Sequence, residues 1–194
     1  MDKGINNKNA TKTEIFVLSI ASLEHERSKH LMEKLTLKAY LAKIWNINVE
    51  DKNAKERTIY VLQQLWSEGS ISFLFGNIQF SNRVTIQDLV AFDASRFAEL
   101  LFQVMHLDIL EEEEAWGLLF LNAQRVQDSF SNWEAFNDAY CKGLTLYEFV
   151  TLEEEAQKNY VFKDELQKNR MLFHRQDTWL EEDVFHDFKI EKEI

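Results

Sequence analysis

The chain reads as an all-α protein, a multi-helix orthogonal bundle. Three observations point there: no proline at all, only five glycines, each isolated, and apolar residues recurring at spacings of three and four. With 194 residues, 45% hydrophobic and 13% aromatic, it can bury a substantial core. The organisation expected is a flexible polar N-terminus over residues 1–12 and one helical domain over 13–194. The only non-helical element anticipated is a short hairpin or aromatic loop near residues 70–80.

From about Thr13 to Trp45 the pattern is helical, and the polar cluster His25 to His30 either splits it or forms its wet face. Asn48 is placed to cap a helix from Val49 to Trp66, with Ala54, Thr58, Val61, Leu62 and Leu65 on one stripe and Gly69 as its stop. In the stretch Ser70–Phe80, Ile71, Phe73 and Phe75 alternate, which suggests a strand, with Gly76 and Asn77 able to turn it.

Thr85-Ile86-Gln87-Asp88 resembles a capping box with Asp in place of Glu and opens a helix to about His106. Placing residues every 100° puts Ile86, Leu89, Val90, Phe97, Leu100, Leu101 and Val104 on one face. Asp93 falls in the middle of that face, with Arg96 at its edge. An unpaired buried carboxylate is strongly disfavoured, so Asp93 needs hydrogen bonds, a charge partner or a solvated pocket. Arg96, three residues on, is the nearest candidate.

The next helix is expected from Leu110 or Glu111 to Phe130. Its four glutamates, Glu111–Glu114, complement the free amides of a helix start, each contributing about 0.3–1 kcal/mol. Ser131-Asn132-Trp133-Glu134 reads as an S-x-x-E capping box, followed by a stripe of Trp133, Phe136, Tyr140, Gly143, Leu144 and Tyr147. Gly143 on that stripe would let another helix approach closely. Thr151-Leu152-Glu153-Glu154 repeats the signature before a helix toward Phe173, and a docked C-terminal segment is expected beyond Trp179.

The block from Ala91 to Gly143 resembles the bacterial family catalogued as domain of unknown function 1266. Members carry W-D-x-x-R in one helix, E-E-A at the start of the next, and S-W-x-x-F-x-x-x-Y-x-x-G in the one after. The corresponding residues here are Phe92-Asp93-Ala94-Ser95-Arg96, Glu113-Glu114-Ala115, and Asn132-Trp133-Glu134-Ala135-Phe136 with Tyr140 and Gly143. Phe92 stands for the family's tryptophan and Asn132 for its serine. Ser70-Ile71 replace the His-Arg pair that members often carry after the glycine. The resemblance covers about residues 35–150, implies a mostly helical domain, and implies no established activity.

Functionally, the net charge of −11 argues against nucleic acid and anionic membranes, which need clustered cations, and favours a basic partner. The single Cys141 excludes an intramolecular disulfide and a cysteine zinc site. No signal peptide or membrane-spanning run is read, so a cytoplasmic location is expected. Metallopeptidase, P-loop, hydrolase-elbow and dinucleotide motifs are absent, the histidines are scattered, and neither a metal nor a cofactor is expected. Two readings follow. The first is a non-catalytic acidic protein-binding domain, of the immunity type that neutralises a toxin or other basic protein, with Trp133, Tyr140, Gly143 and the acidic-aromatic segment at Trp179 as motif or interface residues. The alternative is an enzyme built around an interhelical Asp93/Arg96 pair.

Overall fold

The computed structural model describes residues 12–32, 36–67 and 69–174, so the expectations placed on residues 1–11 and on the segment after His174, Trp179 included, lie outside it. Helix α1 spans Lys12–Met32, and α2 (Leu37–Tyr40) runs into a π-helical turn, Leu41–Trp45. Then come α3 (Ala54–Ser67), α4 (Ile71–Gly76), a 3-10 turn at Ile78–Phe80, and α5 (Ile86–His106). Helices α6 (Glu112–Ser129), α7 (Trp133–Thr151), α8 (Glu154–Lys158) and α9 (Phe162–His174) complete the order, and no strand occurs among the described residues. The architecture is all-α, as the sequence predicts.

Helix α5 is the hub, packed by α7, α1, α6 and α3. Its Thr85–Asp88 capping box forms in both directions: the Asp88 amide donates to Thr85 Oγ1 at 3.2 Å, and the Thr85 amide to Asp88 Oδ2 at 2.7 Å. The main core gathers Phe16, Ile20, Phe92, Phe97, Trp133, Phe136 and Tyr140, while Phe80, Leu89, Leu146, Phe149 and Phe162 form a second cluster. Gly143 lets α5 and α7 approach closely, since a β-carbon there would stand 2.6 Å from Phe92 Cβ and 2.8 Å from the Asp88 carbonyl oxygen.

Several sequence expectations need correction. The 70–80 segment forms neither strand nor hairpin; a lone strand leaves its backbone groups without a ladder, whereas a helical turn satisfies them locally. The His25–His30 cluster neither splits α1 nor lies wholly in water: the helix runs through to Met32, and Glu24 and Arg27 turn inward. The third helix starts at Ala54 rather than Val49, because Asn48 instead closes a tight turn with Glu50 and Asp51. Asn132, not Ser131, caps α7, accepting from the Ala135 amide at 2.8 Å. Thr151 ends α7, its hydroxyl donating back to the Tyr147 and Glu148 carbonyls, so it caps nothing downstream. The segment beyond is two helices rather than one.

Candidate functional site

Asp93 is 2% exposed because the middle of α5, from Ala91 to Leu101, is buried all round, and its oxygens find partners at the end of α3. Gly69 stops α3 with φ +48°, its amide donating to the Gln64 carbonyl at 2.6 Å. That turn points the Ser70 amide at Asp93 Oδ2 (2.6 Å) and the Ser70 hydroxyl at Oδ1 (2.7 Å). Both carboxylate oxygens are thus engaged by one residue.

Arg96 stands further off, with Nη1 3.9 Å from Asp93 Oδ1, an ion pair without a direct hydrogen bond. Its guanidinium carbon lies 4.6, 5.0 and 5.2 Å from the ring centroids of Trp45, Tyr147 and Phe92. Cation–π contact therefore holds Arg96 as much as Asp93 does. Arg125 on α6 is the second cation near Asp93, stacked over Trp66 at 5.0 Å. Burial pushes the Asp93 carboxyl above its ordinary range, against the pull of Ser70, Arg96 and Arg125.

Motif residues Trp133, Tyr140 and Gly143 all lie in α7. Trp133 is 2% exposed and packs on Phe16 with centroids 4.8 Å apart. Tyr140 is fully buried and donates to Glu24 Oε2 at 3.1 Å. These three build the α1–α5–α7 core and do not converge with Asp93 into one site.

Around Tyr140 lies a polar cluster the sequence analysis missed. Arg27 chelates Glu24 through Nε (2.8 Å) and Nη2, and Glu24 is fully buried. Burial opposes charging of Arg27, but Glu24 beside it more than offsets this and raises its pKa. Burial and the Glu24 charge lift Tyr40 to about 12 and Tyr140 well above the usual phenol range. The signal was present: the stripe Phe16, Ile20, Leu23 continues at helical spacing onto Glu24 and Arg27.

Two concavities open along α3. A groove of about 630 Å³ between α3 and α6 is lined by Ile59, Leu62, Trp66, Phe97, Leu118 and Leu121. A smaller pocket of about 330 Å³ has Arg96, Arg57 and Ser72 in its wall. Among the described residues no three His, Cys, Asp or Glu side chains converge as a metal would require, and no helix is long and apolar enough to cross a membrane.

In comparison with known proteins, the chain matches the sequence profile of a family described as "Protein of unknown function (DUF1266)" over residues 4–182, a wider span than the motif block alone. No curated protein and no solved structure matches it.

Proposed function

Since the chain belongs to the DUF1266 family, whose description carries no activity, its function has to be argued from its own surface, and we propose a non-catalytic domain that binds a basic protein in the manner of an immunity-type partner. One observation carries this reading: the α3–α6 groove is apolar and open. Within it Trp66 is 42% and Leu121 54% exposed, and Ile59 adds a third exposed apolar side chain. Aromatic anchors in such a groove, with a charged rim, are what protein interfaces use for affinity and register. Exposed glutamates Glu111–Glu114 lead into α6, and Lys55 bridges from α3 to Glu114 at 2.7 Å. A cationic partner is favoured by the chain's net charge of −11.

The burial of Asp93 supports the same reading over the enzymatic alternative. A general base has to come within hydrogen-bond reach of substrate, and the Asp93 carboxylate is buried, with each oxygen accepting from Ser70. The buried free thiol of Cys141 is compatible with a reducing, cytoplasmic setting.

Tagged wild-type protein and a Trp66→Ala/Leu121→Asp variant, used as parallel baits in extract of the source cell, test the proposal. The expected result is one basic protein held stoichiometrically by the wild type, lost from the variant and weakened at high salt. Retention indifferent to both the groove and the salt, or no stoichiometric partner, would overturn it.

A further inference from the structure

The smaller pocket has a character unlike the rest of the molecule. Acidic residues outnumber basic ones 33 to 22 in this chain, yet among the described residues no Asp or Glu lines it, whereas two arginines do. Arg96 reaches it from the core: it is 8% exposed, and its Nε–H has no acceptor. Arg57 comes from α3, anchored by Nε donation to the Asn46 carbonyl at 3.2 Å and lying over the Tyr60 ring at 5.1 Å, which leaves its terminal nitrogens available. Trp45, also in the wall, has a buried indole N–H without an acceptor. Ser72 adds an exposed hydroxyl.

A pocket with two guanidinium groups in its wall fits a ligand rich in acceptors. The charge balance agrees. Among the described residues Asp93 is the one carboxylate paired with Arg96, at 3.9 Å, and its lone pairs are shared with Ser70 and its field with Arg125. Arg96 and Arg57 together therefore leave a net positive site in an acidic protein. Guanidinium groups suit planar or tetrahedral oxyanions through their fixed fork of donors. The volume of about 330 Å³ sits at the small end of ligand pockets, and the Trp45 and Tyr60 rings offer apolar walls.

We infer that this pocket binds a small organic oxyanion, a carboxylate or a phosphate ester, with its anionic group held by Arg57 and Arg96 and its apolar part against Trp45 and Tyr60. The inference is independent of the protein-binding proposal, because the pocket shares only Gln64 with the α3–α6 groove.

The test is titration of the purified full chain with benzoate, phenyl phosphate and inorganic phosphate at constant ionic strength, with benzyl alcohol as the neutral control. The readout is the Trp45 indole N–H resonance, assigned with a Trp45→Phe variant. Saturable shifts with at least one anion and none with benzyl alcohol are expected. Arg57→Gln, chosen because Arg57 is partly exposed and outside the core, should weaken binding at least about tenfold, the loss expected when a charged hydrogen bond goes. Response to benzoate alone assigns the site to carboxylates, and response to either phosphate compound alone assigns it to phosphates. No saturable shift with any anion, or the same affinity in Arg57→Gln, would overturn the inference.

Discussion

Gly69 and the Asp93 carboxylate stand so close that a β-carbon at position 69 would lie 2.0 Å from Oδ2. The glycine is required twice, once by this contact and once by its φ of +48°, which an L side chain adopts at a cost of roughly 1–2 kcal/mol. Gly69→Ala is therefore expected to lower unfolding free energy by at least about 2 kcal/mol, since the buried carboxylate must also shift. Urea unfolding checks this; an unchanged midpoint would contradict the close approach.

Protonation of Asp93 should act opposite to the usual acid effect. Its folded pKa is raised by burial, so the folded chain takes up this proton at a higher pH than the unfolded chain does. The cost of burying its charge is thus fully present above the folded pKa and is relieved as pH falls through that value to below the unfolded one. In Asp93→Asn the titration is gone. Urea unfolding of both proteins between neutral pH and about pH 4, the range of ordinary carboxyl titration, should show the wild type gaining on the variant as pH drops. A difference moving the other way would mean that Ser70 and the two arginines outweigh burial.

Much of this site was legible from residue spacing. The helical stripe put Asp93 at the centre of a buried face, and Gly69 was readable as the end of α3. Ser70 was not, because its role depends on a tertiary contact across 23 residues of chain. The 70–80 segment misread as a strand for a different reason: a short apolar run does not distinguish period two from a helical turn. Arg57 carried no local signal either, since only the packing of α3 beside the Trp45 turn puts it in a pocket with Arg96.

The Glu24–Arg27–Tyr140 cluster should behave as a coupled unit. Glu24→Leu leaves Arg27, whose side chain is 19% exposed, with its charge uncompensated, and a loss of about 3–5 kcal/mol is expected. Tyr140→Phe removes only a hydroxyl donating to a charged acceptor, costing about 1.5–3 kcal/mol. A double-mutant cycle by chemical denaturation should give clearly less than the sum. Additive losses would show that the two groups do not act through the Tyr140–Glu24 hydrogen bond.

Cys141 should be inert in the folded protein. It is 1% exposed, and burial, with Asp138 nearby, pushes its thiol to about 12. The thiolate is the reactive form, so against a free thiol near 8.5 its population at neutral pH falls by about 3,000-fold. Alkylation by iodoacetamide should therefore be slower in native protein by that factor or more, until unfolding by denaturant releases it. Rapid native alkylation would place Cys141 in an opening of the α7–α9 contact, where Arg170 Nη2 now meets Asp138 Oδ1 at 2.6 Å. An Arg170→Ala variant separates the two cases, since it should speed alkylation only if that contact opens in the native state.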